Sequence, residues 1–394
     1  MNKQLICRTM ASSIESLFRY LPVITLTGPR QSGKTTLCRT VFSSLPYTNL
    51  EDASTLAEVR MDPKAFLAKY PKGVIIDEAQ NFPEIFSYLQ VTVDEDRING
   101  NERKFIVTGS NNFSLMQHIT QSMAGRTAVM SLLPLSTEEI LSVRPDIGTS
   151  EMLLRGGYPA IWSVGLEGRQ ILLSNYYTTY IERDVRSLVN LKDLQAFQMF
   201  IRLAAGRIGQ EFNASALSVE VGVSVPTIKN WLSVLSASYV VYLLQPYHAN
   251  LGKRLTKTPK LYFYDTGLAS YLLGINTVEQ LDVHPQRGSL FENMVVNDIL
   301  KHGANLGHQE NLFFYRDKSQ REVDVLRLMQ DGTIEAYEIK AGMTFNTGYF
   351  KHLHYLQTLL GNQLKRTSVI YDGEQESQQS IDGYCNFRHL HLEQ

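Results

Sequence analysis

Long apolar runs are missing from this sequence. The densest, Tyr239 to Leu244, falls far short of the ~20 residues a membrane span requires, so no membrane partner is expected. Met1 to Arg8 contains no apolar signal core, which argues against secretion and for a cytoplasmic location. Cysteine is equally scarce. Cys7, Cys38 and Cys385 stand far apart with no CxxC pair, which argues against a disulfide framework or a zinc site and for reduced thiols. Excess charge is absent too: 38 Lys+Arg against 39 Asp+Glu leave a formal net charge of −1. A chain that coats nucleic acid over its whole surface would be strongly basic, so any polyanion contact must be local.

What is present is globular in character. A hydrophobic fraction of 43% and a charged fraction of 20%, with 26 Gly and 13 Pro, exclude collagen-like, low-complexity and mostly disordered chains. The 394 residues exceed what one core organises, because single cores stop growing at ~250–300 residues. Two to three domains are expected.

The sharpest motif lies near the start. Leu21 to Thr27 reads as a short buried strand, and it runs into Gly28-Pro29-Arg30-Gln31-Ser32-Gly33-Lys34-Thr35-Thr36. A helical pattern through Leu37, Val41 and Phe42 follows. This is G-x-x-x-x-G-K-[ST] in strand–loop–helix context, the signature of a phosphate-binding loop. Glycines let backbone N–H groups wrap phosphate oxygens, and a helix N-terminus adds a favourable dipole. Lys34 would reach the β- and γ-phosphates of ATP, and Thr35 would offer its hydroxyl to Mg²⁺. Gly73 to Asp77 is a second buried strand, ending in Asp77-Glu78. Asp77 suits a direct or outer Mg²⁺ position, and Glu78 the base that orients the attacking water. Phe105 to Thr108 is a third such strand, and Ser110 or Asn111 after it is a candidate γ-phosphate contact.

Gly28 to Thr36, Asp77-Glu78-Ala79-Gln80 and Thr108-Gly109-Ser110 together resemble the AAA-type P-loop ATPases of archaea and bacteria. They match the branch fused to an uncharacterised C-terminal domain. The resemblance continues through Ala124-Gly125-Arg126, Leu133-Pro134-Leu135-Ser136, Gly156-Gly157-Tyr158-Pro159 and Tyr180-Ile181-Glu182-Arg183-Asp184. It implies ATP binding and hydrolysis on a doubly wound parallel sheet, with an arginine completing the site. Arg126 is the first candidate and Arg183 the second. An arginine acting from a neighbouring copy would require a homo-oligomer.

From Gly165 to about Gly206, apolar residues recur at three- and four-residue spacing, which predicts a helical linker. Next, Asn213 to Val221, a turn at Gly222 and a helix opening at Ser224 give helix-turn-helix order. Val240–Leu244 and Lys260–Tyr264 are the expected wing strands, with Asn250 to Lys257 as the wing tip. Between Phe200 and Lys260 seven basic residues (Arg202, Arg207, Lys229, Lys253, Arg254, Lys257, Lys260) face two acids (Glu211, Glu220), a net of +5. This winged-helix segment is the expected DNA or RNA contact.

The last third carries a second constellation. Ile334 to Ile339 alternates as a strand, and residues two apart share a face, so Glu338 and Lys340 point the same way. Asp324 sits inside the apolar strand Glu322-Val323-Asp324-Val325-Leu326, where an unpaired carboxylate is costly and needs a cation. Glu292 lies on a helix opening near Arg287. The order helix-Glu, strand-Asp, strand-Glu-x-Lys resembles the restriction-endonuclease-like, PD-(D/E)xK nucleases, although Val323 stands where that name has proline. The resemblance implies that Glu292, Asp324 and Glu338 hold Mg²⁺ or Mn²⁺ and that Lys340 is the catalytic lysine.

The expected fold is α/β, in three parts: 1–145 as a P-loop AAA-type domain, 146–275 as a helical and winged-helix middle, and 276–394 as a nuclease-like α/β domain. The expected function is an ATPase whose nucleotide state drives a metal-dependent nuclease-like module on nucleic acid. The alternative is a non-nucleolytic, ATP-gated switch or scaffold whose last domain binds a partner without cutting.

Overall fold

A computed structural model describes residues 5–109, 118–119, 122–185, 193–247 and 258–392, with the backbone alone for 182–185. Two sheets organise the chain. The first holds β1 (Val23–Thr27), β2 (Tyr47–Asn49), β3 (Gly73–Asp77), β4 (Lys104–Thr108) and β5 (Thr127–Ser131) in the order β2-β3-β4-β1-β5, all parallel. Alternate residues of its strands feed two cores. Val23, Val74, Ile76, Phe105 and Val107 face one layer, and Ile24, Leu26, Ile75 and Ile106 face the other. Burial on both faces explains why these strands read as continuous apolar runs. Each such Val, Ile or Leu contributes ~1.5–3 kcal/mol. From β1 the chain leaves toward β2, whereas from β4 it crosses to β5 on the other side of β1. That reversal opens a crevice at the carboxyl ends of β1 and β4, where ligands of such sheets bind.

Gly28 closes the turn after β1. Its φ is +131°, and a Cβ there would lie 2.3 Å from the Leu132 carbonyl oxygen. Gly28→Ala is therefore expected to cost at least ~2 kcal/mol from strain and overlap. Thermal unfolding measures it, and an unchanged midpoint would mean that the loop does not pack on Leu132.

The second sheet is mixed. It comprises β6 (Val241–Pro246), β7 (Lys260–Phe263), β8 (Leu312–Arg316), β9 (Glu322–Leu328), β10 (Ile334–Lys340), β11 (Leu364–Tyr371) and β12 (Gly383–Asn386), in the order β12-β11-β10-β9-β8-β6-β7. One face (Val325, Tyr337, Ile339, Ile370) packs on the helix Arg287–Leu306 through Phe291, Val295 and Ile299. The other (Leu326, Ala336, Val369) packs on the helix Lys351–Leu360 through Leu353 and Leu356. The first of these cores runs unbroken from Leu135 to Phe387, so the middle and the end of the chain share it.

Six helices matter below: α1 (Met10–Leu17), α2 (Lys34–Val41), α3 (Thr137–Leu141), α4 (Ala214–Val221), α5 (Val225–Ala237) and α6 (Arg287–Leu306). Asn213 and Ser224 cap α4 and α5 through their side chains, and Gly222 takes the left-handed turn between them at φ +77°. Lys229 and Asn230 are exposed on α5. The Val240–Leu244 and Lys260–Tyr264 strands do pair antiparallel as β6 and β7, but β6 also pairs with β8 at Gln245 and Pro246. The hairpin is thus the edge of the second sheet and not a free-standing wing. The Asn250–Lys257 tip lies outside the described residues. Tyr177–Val185, within the expected linker, winds as a π-helix. Among the described residues no helix is long and apolar enough to cross a membrane, and the three cysteines are free.

Candidate functional site

The first site is built by the loop between β1 and α2. Gly33, at φ +97°, starts α2 and lets the loop turn back over it. The buried Lys34 ammonium donates to the carbonyls of Gly28 (2.9 Å) and Pro29 (2.8 Å). Burial pulls its pKa down to about 8, against the opposing pull of Glu78 and Asp77. The Ser32 hydroxyl is buried and meets no hydrogen-bond partner among the described residues. A loop with a cation and an unspent donor at its centre is suited to an anion.

Asp77 lies behind this loop at the end of β3. Its Oδ2 accepts from Thr35 (2.7 Å) and Tyr47 (2.8 Å), and its Oδ1 from the Glu78 N–H (3.1 Å) and the Thr108 hydroxyl. Those four bonds use the lone pairs of both oxygens. Thr35 lines the cleft whereas Asp77 does not, so the residues present fit Mg²⁺ with Thr35 inside and Asp77 as its outer support. Glu78 lines the cleft from a left-handed backbone (φ +57°), with the Gln80 amide donating to its carboxylate. Tyr47 has no motif around it and was missed in the sequence.

The far wall of the cleft comes from the middle of the chain. Pro159, Trp162 and Tyr180 line it. Pro159 lies 3.7 Å from where a Gly33 Cβ would stand, and the Arg30 guanidinium sits 5.5 Å over the Tyr180 ring. A second missed residue braces the loop. Arg8, ahead of α1, donates to the carbonyls of Ser32 (2.7 Å) and Leu133 (2.7 Å) and pairs with Glu139 of α3 at 3.0 Å. Arg126 does not line the cleft. Its guanidinium forks onto Asp94 with two 2.8 Å bonds. Ser110 and Asn111 lie outside the described residues, as does the Arg183 side chain.

The second site gathers acids and lysines at one end of the second sheet. Lys340 pairs with Glu338 at 2.6 Å and approaches Asp324 at 3.8 Å. Asp324 also accepts the Ile339 N–H at 2.8 Å, tying β9 to β10. Glu292 reaches in from α6 and accepts from the Tyr262 hydroxyl at 2.5 Å. Lys260 of β7 joins it to the others, lying 3.3 Å from Glu292, 2.5 Å from Glu322 and 4.0 Å from Asp324. Burial raises the Glu292 carboxyl despite Lys260. Burial and the Asp324 charge raise Glu338. Lys260 is desolvated, which alone would lower its pKa, but Glu292, Asp324 and Glu322 outweigh this and raise it.

Two expectations change here. Lys260 was counted in the basic stretch, yet it is 1% exposed and enclosed by acids, so it cannot face nucleic acid. Arg207 is neutralised by Glu220. The four residues predicted from the PD-(D/E)xK pattern do lie together, but lysines occupy their carboxylates. Among the described residues no three His, Cys, Asp or Glu side chains are arranged to hold a metal ion, so the cluster as it stands does not fit one. Lys260, Tyr262 and Glu322 were missed because their role depends on sheet pairing, not on any local motif.

An uncharacterized protein of Mycobacterium tuberculosis, Rv2008c, is 30% identical over 369 residues, covering 93% of this chain and 80% of that protein. This chain belongs to its family. A Haemophilus influenzae protein, also uncharacterized, is 23% identical over 282 residues, 67% of this chain and 66% of its own. Residues 21–141 match the profile of an AAA domain, and residues 148–279 and 287–389 match two domains of unknown function, DUF8612 and DUF4143. Among solved structures, the Walker-type ATPase paby2304 of Pyrococcus abyssi aligns with 69% of this chain and 97% of its own at 14% identity, with a TM-score of 0.44. The N-terminal part of this family member thus combines an AAA-domain match with the phosphate-binding loop at Gly28–Thr36.

Proposed function

We propose that the protein hydrolyses ATP at the Gly28–Thr36 loop and passes its nucleotide state to the acid–lysine site, which acts on nucleic acid. The continuous line of polar contacts between the two sites carries this reading. Arg8 links the Ser32 carbonyl to Glu139. Thr137, two residues before Glu139, donates its N–H to Asp298 of α6 at 3.0 Å, and Lys301 of α6 donates to the Leu135 carbonyl at 2.8 Å. The same helix carries Glu292 into the second site. A loop that tightens on phosphates pulls on Ser32, and packed elements transmit such shifts as discrete repacking.

At the first site Lys34 would hold the β- and γ-phosphates, Thr35 would hold Mg²⁺ with Asp77 behind it, and Glu78 would orient the attacking water. Mg²⁺ there neutralises phosphate charge. Arg126, tied to Asp94 on its own surface, would reach a nucleotide only in a neighbouring copy. At the second site Lys340 and the acids Glu292, Asp324 and Glu338 would serve phosphodiester cleavage, with the exposed Lys229 and Asn230 of α5 as contacts for the strand. A second reading, binding without cutting, is favoured by the lysine occupancy of the acids.

Incubation of single- and double-stranded DNA and RNA with the wild type, Asp324→Ala and Lys340→Ala separates the two. Cleavage by wild type in Mg²⁺ or Mn²⁺, reduced a hundredfold or more in both variants, is expected if these groups act on the reacting phosphate (~10² or more per electrostatic group). Absence of cleavage with every nucleotide and metal would leave the binding reading.

A further inference from the structure

Two lysines serve the second site, and they are not equivalent. Lys340 is a third exposed and leans on Glu338. Lys260 comes from the neighbouring hairpin, is almost wholly buried, and holds Glu292 and Glu322 within 3.3 Å and Asp324 at 4.0 Å. Its backbone is fixed by pairing with Leu244 on one side and Glu211 on the other. Any displacement of the ammonium must therefore come from the four-carbon stem. At the same end of the sheet, Glu338 Oε2 is buried and accepts no hydrogen bond among the described residues, in a residue only 7% exposed. An unspent, desolvated carboxylate oxygen is costly unless something cationic can reach it.

We propose that the Lys260 ammonium is the resident cation of this site, standing where a divalent metal would bind, so that Mg²⁺ or Mn²⁺ enters only by displacing it. Lys260 is the cation that Glu292, Glu322 and Asp324 share, so withdrawing it leaves this buried group of acids short of a positive charge that another cation must replace. A compact ammonium with several donors and a small metal ion both suit the same ring of carboxylate oxygens. Occupancy by the lysine accounts for acids that converge without forming a metal site. It rests on the acids forming one site, as proposed above, but not on that site cutting anything.

The test is Mn²⁺ binding to the full chain without nucleotide, followed by electron paramagnetic resonance. Lys260→Met keeps the apolar stem and removes the charge. It is expected to bind Mn²⁺ about tenfold tighter or more than the wild type, at least ~1.4 kcal/mol, and Lys260→Met combined with Asp324→Asn is expected to lose that gain. Equal or weaker binding by folded Lys260→Met, or a gain that survives Asp324→Asn, would overturn the proposal. Should Lys260→Met be unfolded in chelator, refolding in millimolar Mn²⁺ is expected, and failure to refold would count against it. Raised Mn²⁺ affinity without cleavage would discard the nuclease reading and keep this one.

Discussion

Lys34→Ala is expected to lower ATP turnover by a hundredfold or more, about 2.7 kcal/mol of transition-state stabilisation. In the free protein this ammonium is buried and held by two carbonyls of its own loop. Phosphate oxygens are stronger acceptors than carbonyls, so ATP takes the donors over, and the charge they carry counts for more as the γ-phosphate separates. Alanine removes the cation and strands the Gly28 and Pro29 carbonyls together. Glu78→Gln is the companion variant. It keeps the shape of the cleft and removes the base, so ATP should still bind while turnover falls. Steady-state phosphate release and nucleotide binding measured on both variants decide the matter. Undiminished turnover by Lys34→Ala would sink the assignment of the loop.

Arg8→Ala is expected to lower the thermal unfolding midpoint and weaken ATP binding about tenfold. Arg8 and Glu139 form a buried pair, with side chains 6% and 2% exposed. Glu139 is also the acceptor for the N–H groups of Thr9 (2.8 Å) and Ser136 (3.0 Å). Removing one partner of such a pair costs ~3–5 kcal/mol, because the other charge stays buried without its counter-ion. The loop loses its tie at Ser32 in the same stroke. Arg8→Lys keeps a charge but cannot fork onto two carbonyls and a carboxylate, and should fall between. If neither the midpoint nor ATP affinity moved, the brace would be a bystander.

The nucleotide loop was legible because its chemistry is local. Nine consecutive residues carry the turn, the cation and the hydroxyl, and the strands on either side announce themselves by composition. Asp77-Glu78 was legible for the same reason, since a buried parallel strand ending in acids is a short pattern. Glu292, Asp324, Glu338 and Lys340 span 49 positions, yet their order along helix and strands was enough to find the set. The rest depends on pairings that no window contains. Arg8 meets Glu139 across 131 positions. Lys260 looked like one more basic residue in a basic stretch, and only the pairing of β6 with β8 turns it inward. Tyr47 reaches Asp77 because β2 lies beside β3. The hairpin expected as the wing does form, but a hairpin's sequence does not say which sheet its outer edge will join.

That shared edge decides how the protein can be taken apart. A fragment beginning at residue 276 would leave behind β6 and β7, bare the rim of β8 to the first strand it met, and release three carboxylates from the ammonium that restrains them. The last third is therefore no cassette to be cut out and grafted elsewhere. Its acidic centre is completed by a strand the chain lays down before the helix of that centre is reached, and the two must be inherited, expressed and folded together.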